Sequence, residues 1–367
     1  MKNKVLFHYN VPYDIHIKAL QHEDYKEGIF NYSSFASGLR QGFIKNNYEF
    51  EIEFVSGFFF KRIFSKSRFY YRIAYSIYNK LFGFIDNYFE CLRIFNQIKE
   101  KKITLFFTEL NPIVTKRFLK KLESNSVGTI QWFGVFPNSI GFNKRPLKTT
   151  PYFDLTVSTA NIFNQFKVKP NSFLEIFPVS SEIDFNEVNE NSNFEYDIIF
   201  IGSLSKLHSN RWDILEFIND NFPSFGIYGY KSEDVPKSYK FLKNFKGSIW
   251  GKDYYDKLKS SKIIINLFLD GYENLESGMN LRIVESLSNK TFVLTQYQMS
   301  LSKYFELDSD IATFKNLDDL FKKIKLFLSD DKLRSKFVEK GFERIKKFNY
   351  ENQVKKILEI HEKIHQI

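Results

Sequence analysis

The feature that most constrains this chain is a rhythm that occurs twice. Short runs rich in β-branched and aromatic residues alternate with longer segments of helical spacing. The first series is VLF (5–7), FEIEFV (50–55), ITLFF (103–107), GTIQWF (128–133) and FDLTVS (153–158). The second is IIFIGS (198–203), FGIYGY (225–230), KIIINLF (262–268) and TFVLTQ (291–296). Segments between them, such as 113–124, carry apolar residues at helical intervals. Strands that alternate with helices form mostly parallel sheets covered by helices, so each series predicts an α/β domain. An Asn/Glu-rich stretch, SSEIDFNEVNENSNFEYD (180–197), separates the series and reads as a linker. The expected boundaries are 1–182, 183–348 and a last helix, 349–367, that packs back on the first domain. Helical spacing runs through 316–328 and 331–366, with a further helical segment near 301–306, and Val354, Ile357, Leu358, Ile360 and Ile364 mark a core-facing stripe. A length of 367 residues suits two cores of this size.

Composition narrows the function classes. Hydrophobic residues make up 43% and charged residues 26%, which excludes a disordered chain. The net charge of +10 favours anionic ligands without choosing among phosphates, lipids and acidic polymers. The single cysteine, Cys91, rules out an internal disulfide and a thiolate metal cluster, and in CLRIF it reads as a small apolar filler. After Met1-Lys2-Asn3-Lys4 only Val5, Leu6 and Phe7 are apolar before His8, too few for a signal peptide, and no run is long enough to span a bilayer. A cytoplasmic protein, free or peripheral at the inner face of a membrane, is expected.

Two such domains in tandem place a ligand crevice at the carboxyl ends of their strands. In the second series, strand 262–268 leads through DGYENLESG (270–278) into a helix from about Met279. The start of that helix supplies unpaired N–H groups and a positive dipole end, Gly278 allows close backbone approach, and Asn280 sits beside it. Arg282 then adds a bidentate cation and Glu285 a carboxylate for ribose hydroxyls. The competing account is an ordinary i, i+3 ion pair on an amphipathic surface helix.

The stretches DIIFIGSLSKLHSNRWDIL (197–215), SIWGKDYYDKLKSSKIIINLF (248–268), GMNLRIVESLSNKTFVLT (278–295) and SDDKLRSKFVEKGFERIKKFNYENQV (329–354) resemble the nucleotide-sugar-binding domain of GT-B glycosyltransferases. They are most similar to the group related to the spore-maturation glycosyltransferases, also called glycosyltransferase family 1-like. TIQWFGVFPN (129–138) and PYFDLTVSTANIFNQF (151–166) extend the resemblance more weakly into the first half. It implies the GT-B fold, with two Rossmann-like domains facing a central cleft. It also implies that Gly202 lies beside the donor diphosphate and that Glu285 binds the nucleotide ribose. The departing diphosphate would be neutralised without a bound metal or other cofactor, by Arg282, Arg211, Lys206 and the N–H groups near Gly202 and Gly278. Two departures stand out. Ser277 occupies the position of a glutamate found in retaining members, and Ser203 that of the basic residue after the first-strand glycine. An inverting reaction would require a general base on the first domain, and Glu109 and then His8, each at a strand end, are the candidates.

Two other features call for assignment. FFFKRIFSKSRFYYRIAYSIYNKLFGFI (58–85) interleaves Lys61, Arg62, Lys66, Arg68, Arg72 and Lys80 with aromatics. That pattern suits either an anionic membrane surface, where glycolipid acceptors lie, or a buried helix pair with snorkelling cations. Nucleic acid is not expected, because 43 Phe and 21 Tyr spread aromatics along the whole chain. Asp308-Ser309-Asp310 has the spacing of a metal-binding acidic pair, but its surroundings read as a solvated turn. The expected activity is transfer of a sugar from a nucleotide-sugar donor to a carbohydrate or lipid-linked acceptor in bacterial surface polysaccharide assembly. The alternatives are a nucleotide-sugar 2-epimerase of the same fold and a non-catalytic glycan- or nucleotide-sugar-binding subunit.

Overall fold

A computed structural model describes residues 3–11, 13–54, 87–109, 113–133, 145–160, 163, 168–176, 194–268 and 279–365. The basic aromatic segment 58–85, the loop with Ser277 and Gly278, and most of the polar stretch 180–197 lie outside them. The chain divides into two compact units, Met1–Ile176 with Tyr350–Ile367, and Phe177–Asn349.

The first unit is built on a parallel sheet in the order β2-β1-β3-β4-β5-β6 among the described residues. Its strands are β1 (Lys4–Tyr9), β2 (Glu49–Phe54), β3 (Leu105–Glu109), β4 (Gly128–Phe133), β5 (Leu155–Ser158) and β6 (Phe173–Glu175). Central β4, covered on both faces, is buried at all six positions. Edge strand β2, EFEIEF, alternates acid and apolar residues and buries only Ile52 fully. Helices α1 (Tyr13–Ala19), α2 (Tyr25–Tyr32), α3 (Ser34–Lys45), α4 (87–100) and α5 (Lys116–Glu123) surround the sheet. Side chains fix where several of them start: Asp24, Ser33 and Thr115 accept backbone N–H groups of the first turns of α2, α3 and α5.

The second unit carries a parallel sheet in the order β11-β10-β9-β7-β8. The strands are β7 (Tyr196–Ser203), β8 (Phe225–Tyr230), β9 (Ser261–Asn266), β10 (Val293–Gln296) and β11 (Ala312–Phe314). Successive residues of β7 feed opposite faces. Ile198 and Phe200 pack with Trp212, Leu215, Leu320 and Ile324, while Ile199 and Ile201 pack with Tyr254 and Leu258. The helices are α6 (Asn210–Asn221), α7 (Lys252–Lys259), α8 (Leu281–Ser288), α9 (Leu317–Ser329) and α10 (Asp331–Ile345). Near 301–306 there is only a 3-10 turn, Met299–Lys303.

The helical spacing of 331–366 resolves into two helices, α10 and α11 (Tyr350–His365), broken at 346–349. The break falls where the chain passes from one unit to the other. Phe348 packs on the apolar cluster around α8, whereas Tyr350 lies against α3. A Cβ added to Gly38 would stand 2.1 Å from the Tyr350 ring, and one on Gly42 would stand 2.7 Å from the Tyr350 carbonyl. Small residues on α3 therefore let α11 come close. A side-chain bond from Asn46 to the Glu351 carbonyl, 2.9 Å, joins the two helices.

Candidate functional site

In the second sheet β8 lies on one side of β7 and β9 on the other, so the chain reverses direction across the sheet at β7. Open α/β sheets bind ligands at such a point, beyond the carboxyl ends of the strands. The polar residues gathered there make up the candidate site.

β7 ends at Gly202 and Ser203. Gly202 is in register with Gly229 of β8, whose φ of +149° and missing Cβ admit the Gly202 carbonyl; a Cβ there would stand 1.7 Å from that oxygen. A Cβ on Gly202 itself would meet the Phe200 ring at 2.7 Å. A larger residue at 202 would have to push that ring aside. The Ser203 hydroxyl donates to Ser205 Oγ at 3.2 Å and so organises the following turn. Arg211, only 7% exposed, donates from Nη1 to the Ser203 carbonyl (3.1 Å) and from Nη2 to the Leu267 carbonyl (2.9 Å). Its guanidinium joins the ends of β7 and β9 at the reversal point, which makes it a clamp on the site as well as a charge within it. Burial, with the Arg211 charge beside it, pushes His208 down to about 3, so that imidazole is neutral near pH 7. Lys206 is exposed, and its backbone N–H donates to Asp234 Oδ2.

Asn280 occupies the N-cap position of α8, yet its side chain makes no capping bond. Its amide instead donates to Asn266 Oδ1 and the Leu267 carbonyl, both at 3.1 Å. Asn266 passes the connection to Thr295 Oγ1 at 2.8 Å, and Gln296 Oε1 accepts the Phe268 N–H at 3.1 Å. The α8 N-terminus thus stays without a side-chain cap from its own N-cap residue while its position is fixed to the ends of β9 and β10.

Within α8, Ile283, Val284 and Leu287 are core, while Glu285 is 8% exposed and Arg282 half-buried. The acid and base do not form a surface ion pair with each other. Tyr254 of α7 stands between them, donating its hydroxyl to Glu285 Oε2 at 2.5 Å and accepting Arg282 Nε at 3.1 Å. Burial raises the Tyr254 phenol well above its ordinary range; Glu285 adds to the rise and Arg282 opposes it. The phenol therefore remains a donor, and it holds the carboxylate and the guanidinium in fixed orientations. Nε is the nitrogen spent on Tyr254, so the Nη groups of Arg282 are not used in that bond. A helix start without a cap from its own N-cap side chain, two guanidinium groups and an oriented carboxylate suit a diphosphate attached to a polyol.

In the first unit, Glu109 is the last residue of β3 and half-buried, whereas His8 in β1 is completely shielded. The Thr108 hydroxyl donates to the His8 carbonyl at 3.0 Å, tying the two strand ends together. His8 Nε2 lies 3.4 Å from Glu90 Oε1 on α4. Burial alone would raise the Glu90 carboxyl, but hydrogen bonds from His8 and Arg93 outweigh it and hold the group down at about 2. Of the two candidate bases, only Glu109 has exposure to meet a substrate. Asp308 and Asp310 are committed to a turn: Asp308 Oδ1 accepts the Thr313 N–H and the Lys323 ammonium, and Asp310 Oδ2 accepts the Glu306 N–H. Cys91 is buried, and burial pushes its thiol up to about 11, an inert filler.

Sequence pattern does not single out Tyr254, Asn266 or Gln296. Tyr254 pairs with Leu258 at helical spacing and so reads as core; nothing in KDYYDKLK marks where its hydroxyl goes.

Residues 210–359 match the model of the glycosyl transferase-like family. No curated protein matches the chain at a comparable level. Among solved structures, sucrose-phosphate synthase of Thermosynechococcus elongatus overlays with a TM-score of 0.62 at 10% identity, covering 100% of both chains. HepE of Anabaena, in complex with UDP and glucose, overlays with a TM-score of 0.59 at 10% identity, covering 97% of this chain and 99% of its own. A protein assigned as a UDP-N-acetylglucosamine 2-epimerase, from Listeria monocytogenes, gives a TM-score of 0.52 at 9% identity, covering 98% and 97%. At these identities the likeness establishes the fold, two Rossmann-like units of GT-B type.

Proposed function

We infer that this chain is a GT-B-type glycosyltransferase, with the glycosyl transferase-like match over residues 210–359, and that the second unit holds a nucleotide-sugar donor and the first a glycan or glycolipid acceptor. The observation that carries the donor assignment is the Arg282–Tyr254–Glu285 relay in the first turns of α8, whose N-cap is tied to the end of β9, next to the β7/β9 reversal. In this reading the Arg282 Nη groups and the first-turn N–H groups take the diphosphate, with Arg211, Lys206, Gly202, Ser203, Gly278 and Asn280 shaping the surroundings. Glu285 accepts ribose hydroxyls. The bond from the anomeric carbon to the diphosphate oxygen breaks, the electron pair leaves with the nucleoside diphosphate, and an acceptor oxygen bonds to that carbon. In an inverting reaction Glu109 takes the acceptor proton, since His8 is shielded from any substrate. No metal takes part in this chemistry.

UDP is the first nucleotide to test, since the similar HepE structure holds it. The finer reading is assembly of a bacterial surface polysaccharide at the inner face of a membrane, with 58–85 as the membrane-contacting segment. Calorimetry with nucleoside diphosphates tests the donor site: Glu285→Ala and Arg282→Ala should each weaken binding at least about 10-fold. Unchanged affinity in both variants would remove the site. The likeness to an assigned 2-epimerase favours one other reading. Product analysis decides it: a sugar epimerised at C2 without acceptor, in place of a transferred sugar, would replace transfer with epimerisation. Binding without turnover would leave a non-catalytic subunit.

A further inference from the structure

Away from the residues discussed above, three ligating side chains of the first unit converge: Asp154, His361 and His365. The histidines stand four apart on α11 and share one face, with ring centroids 4.5 Å apart. Asp154 immediately precedes β5. His365 Nε2 lies 3.1 Å and His361 Nε2 3.5 Å from Asp154 Oδ2, and the two Nε2 atoms are 3.2 Å from each other.

These three atoms form a nearly regular triangle. Tetrahedral Zn²⁺ with ligands at 2.0–2.1 Å has ligand–ligand edges of about 3.3 Å, the size observed. Hydrogen bonds alone serve the triangle poorly. Each Nε2 brings at most one hydrogen, so two hydrogens must answer three contacts. Oδ2 also already accepts the Thr129 N–H at 2.7 Å and lies 3.0 Å from its hydroxyl. Such bonds to a carboxylate are what orients it as a metal ligand. Backbone shape fits as well: Gly128, the first residue of β4, leaves room for the imidazole, since a Cβ there would stand 2.3 Å from His361 Cε1 and 2.6 Å from Nε2. His361 is buried, and the His365 side chain is 49% exposed, which opens the fourth position to water.

We propose that Asp154, His361 and His365 bind one divalent first-row transition ion of the Zn²⁺ class, with water as fourth ligand, and that this ion pins α11 to the sheet of the first unit. The helix is the segment by which the chain returns to that unit after completing the second, so the ion secures a unit assembled from two stretches of chain. The proposal draws on none of the donor-site residues and stands independently of glycosyl transfer.

The test uses the full chain, stripped with chelator and dialysed, titrated with Zn²⁺ by calorimetry and with Co²⁺ by visible absorption. Expected are one saturable equivalent, a tetrahedral Co²⁺ spectrum displaced by Zn²⁺, and a Tm rise of about 5–10 °C at 100-fold excess over Kd. His365→Ala, at the half-exposed ligand, should fold as the stripped protein does yet bind at least about 100-fold more weakly, beyond the loss caused by changing a residue that only orients a ligand. His22→Ala controls for incidental histidine binding and should bind normally. Absence of saturable binding, or equal binding in His365→Ala and Asp154→Asn, overturns the site.

Discussion

Replacing Tyr254 by Phe removes one oxygen and keeps the ring in its packing place. The apolar term is then nearly unchanged, and the loss is that of the two bonds at the phenol. The bond to Glu285, at 2.5 Å, is charge-assisted and almost wholly buried; such bonds contribute about 1.5–3 kcal/mol, and a carboxylate left unsatisfied under burial adds to the cost. The bond from Arg282, at 3.1 Å and partly exposed, contributes less. Together they predict a loss of about 2–4 kcal/mol, and for a domain of this size a Tm decrease of about 4–15 °C. Urea unfolding of Tyr254→Phe, Glu285→Gln and the double variant separates the pair from general damage, with a coupling of at least about 1 kcal/mol expected. If Arg282 and Glu285 grip a nucleoside diphosphate as proposed, the same variant should weaken UDP binding about 10-fold, because both groups lose their common anchor. A stability change under about 0.5 kcal/mol with no coupling would refute the relay as the element that orients Glu285.

Other perturbations probe the surrounding structure. Arg211→Met abandons the Ser203 and Leu267 carbonyls, and chemical denaturation should show a loss of about 2–4 kcal/mol even without ligand; a purely ligand-facing arginine would leave apo stability intact. Gly229→Ala places a methyl 1.7 Å from a backbone oxygen at a positive φ, so soluble yield and cooperative unfolding should collapse. His208 binds fewer protons folded than unfolded between about pH 3 and 6.5, so stability is highest above that window and declines as pH falls through it. Its NMR resonances should remain those of neutral imidazole at pH 5, and His208→Gln should flatten the acid limb; titration near 6.5 would contradict the burial. Chelation should lower the Tm of the intact chain but not of His365→Ala, and turnover by that variant should be insensitive to chelator; restoration of its activity by Mn²⁺ would place a metal in the chemistry after all.

Much of the architecture follows from local pattern. A strand covered on both faces must be apolar along its length, so GTIQWF and KIIINLF announce buried parallel strands wherever they occur, and the edge position of EFEIEF shows in its alternating glutamates. The helix start near Met279 and the presence of Arg282 and Glu285 in its first turns are likewise legible, because helix starts are written in neighbouring residues. The destinations of side chains were not. The family resemblance implies a diphosphate-neutralising role for Arg211, and only the sheet order, with β9 returning beside β7, brings two carbonyls within its reach. The 346–349 break in the tail was hidden in a continuous helical stripe, since its cause is that Phe348 and Tyr350 pack on different units. Tyr254 and Glu285 are thirty-one positions apart, as Asp154 and His365 are two hundred and eleven. Periodicity records which face of an element is buried; which groups meet across that burial depends on distances closed by the whole chain, and there hydrogen bonds and ligand geometry are decided.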